Sequence, residues 1–124
     1  MKALVIDKSN TMRSVLSRLL SMRGFEVAEA ENSKKALVEL RSAGITDLVF
    51  VNWPSQDADS LDFITRLRRE TARHATLILL VAAEPGVRKL LRAHIAGADD
   101  YLMKPFTSLR LDEKLTQAGF TWAL

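Results

Sequence analysis

The chain has 124 residues, 48% hydrophobic and 27% charged, with a formal net charge of +3; that is one domain's length, 1–124, with enough apolar side chains to bury a core. It contains no cysteine, which excludes disulfides, thiolate nucleophiles and cysteine-based zinc sites, and so mild a positive charge does not by itself imply nucleic acid. No apolar stretch approaches the ~20 residues that cross a bilayer, and the apolar start is too short for a signal peptide, so the expected location is the cytoplasm.

An apolar run over residues 3–6 reads as a strand and leads into Asp7-Lys8. The next segment sets Met12, Val15, Leu16, Leu19 and Leu20 on one helical stripe, with Ser9 or Asn10 as cap and Gly24 as stop. A second run covers 27–30. The helix after it starts at Asn32, turns Ala36, Leu37 and Leu40 inward, and stops at Gly44. The third run, 48–51, ends on Asn52-Trp53-Pro54, and the following helix starts at Asp59 with Leu61, Ile64 and Leu67 inward. The fourth run, 77–81, leads to Ala82-Ala83. Pro85 suits the first turn of the next helix, whose expected inner face is Val87, Leu90, Leu91 and Ile95, with Gly97 as stop. The fifth run, 101–103, leads to Lys104-Pro105-Phe106, and a last helix follows Thr107 or Ser108 with Leu111 and Leu115 inward.

Short, nearly unbroken apolar runs suit strands covered on both faces. Five strand–helix units in this order predict an α/β fold, a doubly wound five-stranded parallel sheet with helices on both sides. Ligands of such sheets bind beyond the carboxyl ends of the strands. The residues to inspect are therefore Asp7, Lys8, Asn52, Ala82 and Lys104.

Asn10-Thr11-Met12-Arg13, Asn52-Trp53, Ala98-Asp99-Asp100-Tyr101 and Lys104-Pro105-Phe106 carry a family likeness. Over essentially its whole length the chain resembles the receiver domain of two-component response regulators, and most of all the short chemotaxis type. The resemblance implies a flavodoxin-like (βα)5 fold with strand order 2-1-3-4-5. It also implies a phosphorylation pocket. In the family, two acids after strand 1 and an aspartate after strand 3 hold Mg²⁺, and that aspartate accepts phosphate from a histidine kinase. A Ser or Thr after strand 4 and a lysine after strand 5 hold the phosphoryl group.

This chain keeps Asp7 and Lys104 of that set. It has Lys8 at the second acid, Asn52 at the acceptor and Ala82 at the hydroxyl position. Where the family reads Met-Pro-x-Met-Asp-Gly after the acceptor, it has Ser55-Gln56-Asp57-Ala58-Asp59-Ser60, with its proline at Pro54. Mg²⁺ wants oxygen ligands that include one or two carboxylates. The changes move the formal charge of the pocket from about −2 to about +1 at neutral pH. Phosphoryl transfer relies almost wholly on positioning and electrostatics. The sequence therefore predicts a degenerate pseudo-receiver: no phosphorylation at Asn52, no Mg²⁺ site, and no cofactor or catalytic residue. An ammonium from Lys8 or Lys104 is expected to reach Asp7 and the Asn52 amide oxygen; for Lys8, extension into solvent competes equally.

Asn52 also suits an ordinary turn cap. The resemblance implies a cis Lys104–Pro105 bond. It makes Tyr101 the equivalent of the family's switch aromatic, here expected to be a fixed contact because Ala82 offers no hydroxyl. It makes the surface formed by helix 4, strand 5 and helix 5 the partner face. Arg88, Lys89, Arg92, Tyr101, Arg110 and Lys114 lie on those elements; a basic patch there would steer an acidic protein, against the plain alternative of a solvated helix face. His74 and His94 lack partner ligands. Trp53 is expected over the loop after Asn52, and Phe120, Trp122 and Leu124 alternate so as to dock on the body or on a partner.

The function expected is thus a phosphorylation-independent protein-interaction module in two-component signalling, not an enzyme, with a protein partner or a second copy of the chain on that face. One rival is a working receiver phosphorylated at Asp7, Asp57 or Asp59. Another is nucleic-acid binding, which lacks a recognition motif here. A third is a receiver cut from a longer regulator with an output domain after Leu124.

Overall fold

The computed structural model describes residues 1–44, 46–53, 60–71, 75–83 and 86–123. In chain order it has β1 (Lys2–Ile6), α1 (Asn10–Ser21), β2 (Glu26–Ala30), α2 (Ser33–Ala43), β3 (Leu48–Asn52), α3 (Ser60–Glu70), β4 (Leu77–Ala83), α4 (Val87–Ala96), β5 (Asp100–Lys104) and α5 (Ser108–Gln117). The strands form one parallel sheet in the order β2-β1-β3-β4-β5, as expected.

Side chains alternate across a strand, and the core follows. Ala3, Val5, Leu48, Phe50, Leu79, Val81 and Leu102 face Leu16 and Leu20 of α1 and Leu111 and Leu115 of α5. Leu4, Ile6, Val49, Val51, Ile78 and Leu80 face Ala36, Leu37 and Leu40 of α2, Phe63, Ile64 and Leu67 of α3, and Ala93 of α4. The interior positions of the central strands are therefore apolar, since both their faces are covered, with Lys2 and Asn52 at the ends of β1 and β3. The starts of α1, α2 and α5 are capped by side chains that accept backbone N–H bonds: Ser9 from Met12 at 3.2 Å, Asn32 from Lys35 at 2.9 Å, and Thr107 from Arg110 at 3.1 Å.

Two expectations of the inner faces are corrected. Val15 of α1 is exposed. More consequentially, α4 is rotated from the expected face: Val87 is 83% exposed, Leu91 57% and Ile95 77%, while the residue fully buried is Ala93. The small side chain lets α4 lie close to the sheet and to α3. At its end, Gly97 has φ +133°, and a Cβ there would meet the Arg68 Cβ at 2.7 Å. The Arg68 guanidinium crosses that junction, donating to the Gly97 carbonyl at 3.0 and 2.9 Å and to the Thr76 carbonyl at 2.9 Å.

The chain end docks on the body. Phe120 meets Phe25 edge to face, with ring centroids 5.3 Å apart, and Trp122 lies beneath the Arg23 guanidinium. Leu124 lies outside the described residues, as do Pro54, Asp57, Asp59, His74 and Pro85. The Lys104–Pro105 bond is cis.

Candidate functional site at the carboxyl edge of the sheet

Strand register brings the inspected residues to one edge. Ile6 is beside Val51 in the β1–β3 pairing, so the next residues along, Asp7 and Asn52, are neighbours at the strand ends. Asn52 is paired with Val81, and Ala83 with Lys104. Asn52 and Lys104 are the last residues of their strands and Ala82 lies within β4, so pairing runs slightly further than the apolar runs suggested.

Asp7 is 5% exposed. Its N–H donates to the Ala30 carbonyl at 3.1 Å, and its carboxylate accepts the Ser9 N–H at 2.9 Å. The Asn52 amide oxygen accepts a bond from Lys104 Nζ at 2.5 Å. Next to it, the Trp53 N–H donates to the Val81 carbonyl at 2.9 Å, which fixes the backbone on the far side of the amide. Ala82 is fully buried. Lys104 thus reaches the Asn52 amide oxygen, one of the two contacts expected of a lysine at this edge. Lys8 is exposed.

Arg13 was not among the expected site residues. Its guanidinium donates to the Asp7 carbonyl at 2.6 Å and the Lys8 carbonyl at 3.4 Å, contacts Asn10 Oδ1, and pairs with Glu29 at 3.3 Å. It thereby pins the loop that carries Asp7 and Lys8. Its place one turn into α1, after a loop of polar residues, was the available signal. Trp53 is buried in the core layer with Leu4, Ile6, Val51 and Phe63; the loop over which it was expected lies outside the described residues.

As donors, these side chains comprise one carboxylate already bonded to a backbone N–H, one amide oxygen already bonded to an ammonium, and two lysines. Mg²⁺ takes several oxygen ligands, one or two carboxylates among them, and among the described residues no group of three or more acidic or histidine side chains is placed to hold a metal. The amide nitrogen of Asn52 is no better as a phosphoryl acceptor, because its lone pair is delocalised into the carbonyl.

The predicted basic face also changes on inspection. Arg88, Lys89 and Arg92 are exposed on α4. Arg110 pairs with Glu113 at 2.9 Å. Lys114 is not a surface cation: its side chain is 11% exposed and is bonded to Asp100. In place of a purely basic surface, Val87, Leu91 and Ile95 form an exposed apolar stripe at i, i+4 and i+8. Arg88 and Arg92 run beside it. Val87, Leu90, Leu91, His94, Ala98 and Tyr101 line a groove of about 290 Å³ between α4 and β5. His94 holds its Nδ1 2.8 Å from the Ala98 carbonyl, a structural contact.

A five-stranded sheet of this order, with its chemistry-bearing residues gathered beyond β1, β3 and β5, defines a class, and the comparisons agree. The family model described as the response regulator receiver domain matches residues 3–116, and the chain belongs to that family. It is similar to the chemotaxis protein CheY1 of Helicobacter pylori, 34% identical over 116 residues, or 93% of this chain and 94% of that protein. It is similar to the CheY homolog of Campylobacter jejuni, 32% identical over 93% of this chain and 89% of that one. Among solved structures, the chemotaxis protein CheY4 of Vibrio cholerae superposes with a TM-score of 0.85 at 25% identity, over 94% of this chain and 97% of that one. A response regulator of Thermotoga maritima gives 0.83 at 30% identity, over 94% and 95%. The chain is thus a receiver domain of the two-component, chemotaxis-like kind, a family that works through protein partners. Among the described residues no helix is long and apolar enough to cross a membrane.

Proposed function

We propose that this receiver is a pseudo-receiver: a protein-interaction module that needs no phosphorylation and is not an enzyme. The observation that carries this reading is the bond from Lys104 Nζ to the Asn52 amide oxygen at 2.5 Å. The lysine that would neutralise a transferred phosphoryl group is spent on a neutral amide at the acceptor position. With Lys104 at the same edge as Asp7 and an amide in place of the acceptor carboxylate, the expectation is that no Mg²⁺ binds here. Asp7 is a poor substitute acceptor, since it is buried and bonded to the Ser9 N–H.

Output then depends on the outer surface of α4 and its groove with β5. The exposed Val87, Leu91 and Ile95 beside Arg88 and Arg92 suit an amphipathic helix bearing acidic residues. A second copy fits less well, because a two-fold contact would set the same cations against themselves.

The test is intact mass after incubation with acetyl phosphate and Mg²⁺. The expected result is an unchanged mass. A gain of one phosphoryl group on any acid, Asp57 and Asp59 included, defeats the reading.

A further inference from the structure

We propose that Lys114, anchored by Asp100, is a positioning residue that fixes Tyr101 and with it the α4–β5 docking face; this rests on the reading of that face given above. Tyr101 lines the groove and packs against the α2–α3–α4 core layer. Lys114 sits on α5, between Leu111 and Leu115, which belong to the opposite layer. β5 is an edge strand. Lys114 therefore reaches around the open edge of the sheet from one face to the other. Its ammonium lies 4.8 Å from the Tyr101 ring centroid, inside the ~6 Å range of cation–π attraction.

The ammonium is held in that place. It donates to both carboxylate oxygens of Asp100, at 2.9 and 3.1 Å. Asp100 Oδ1 also accepts the Tyr101 backbone N–H at 2.8 Å. Acid, ammonium and ring thus close a loop that includes the backbone of Tyr101 itself. Lys114 is 11% exposed and Asp100 35%, so the pair is partly shielded from water and from screening by salt. The ring of Tyr101 is set by these neighbours. The bonds and the ring contact that set Tyr101 run among these three residues and involve neither Asn52 nor Ala82. The face is consequently held in one arrangement whatever the strand-end pocket contains.

Tyr101 is the only tyrosine in the chain, so 3-fluorotyrosine labelling yields one ¹⁹F signal that reports on it alone. In the 124-residue chain, one sharp resonance is expected. Lys114→Met keeps the alkyl stem and removes the charge; its resonance is expected to shift or split. Asp100→Asn is expected to move the signal in the same direction. Lys114→Arg, which can pair with the carboxylate and stack on the ring, is expected to restore the original position. Variant signals that superimpose on the original overturn the clamp, as does a failure of arginine to restore it where methionine has moved it. Beryllofluoride with Mg²⁺ probes the pocket separately. If it moves the signal of the unmodified chain, the pseudo-receiver reading falls; if it leaves that signal in place while the Lys114→Met and Asp100→Asn signals superimpose on the original, the clamp falls and that reading stands.

Discussion

At the scale of single residues, the proposed loss of phosphorylation rests on three positions acting together. Against the family pattern, Asn52 stands at the acceptor, Lys8 at an acid and Ala82 at the hydroxyl position. Restoring one of them leaves the others in force. Asn52→Asp alone is therefore expected to form an ion pair with Lys104 and to show no phosphoprotein by mass after acetyl phosphate and Mg²⁺. A stable adduct in that variant would show that the altered charge at position 8 is not inhibitory. Arg23 is a second instructive residue. It is buried, and it donates to the Leu19 carbonyl at 2.7 Å, Ser108 Oγ at 2.6 Å and Asp112 at 2.5 Å, with Trp122 under its guanidinium. Arg23→Met keeps much of the packing and leaves those acceptors unpaired. The expected cost is about 2 kcal/mol, within the usual range for losing bonds to a charged group, read as a lower urea midpoint with an unchanged slope.

At the scale of elements, α4 is the informative case. Its buried contact is Ala93 and its large apolar side chains point outward. Ala93→Leu adds volume where none is free and is expected to destabilise by about 1–3 kcal/mol. Leu91→Ser and Ile95→Ser remove exposed side chains and are expected to change stability by no more than about 0.5 kcal/mol. Urea unfolding of the three variants checks the contrast. If the serine variants prove the costlier, then α4 packs through its stripe and the docking face described here does not exist. The exposed stripe is also the reason α4 and β5 enclose a groove, since the side chains that would fill it lie at its rim.

At the scale of the whole molecule, the doubly wound sheet does two separate jobs. It gathers Asp7, Asn52 and Lys104 from β1, β3 and β5 at one edge, although 97 residues separate the first from the last (104 − 7). It also leaves β5 open at the side, where α4 and α5 meet the same strand from opposite faces. A signal made at the edge and read at the side would have to pass through β5. Here both ends of β5 are tied: Lys104 to Asn52, and Asp100 to Lys114. That is the structural basis for expecting one persistent conformation of the docking face.

Much of this was legible in the chain because it depends on local pattern. Apolar runs on both-faced strands, caps at Ser9, Asn32 and Thr107, and glycine stops determine the order of elements. The residue types at positions 7, 8, 52, 82 and 104 determine the chemistry of the edge, since no packing can turn an amide into a carboxylate. What the chain did not reveal was decided by tertiary packing. A helix with apolar residues around much of its girth has more than one candidate inner face, and only the neighbouring Arg68 and the close seat at Ala93 chose which face of α4 is buried. Likewise, Lys114 reads as a surface charge until the open edge of β5 brings Asp100 and the Tyr101 ring within its reach.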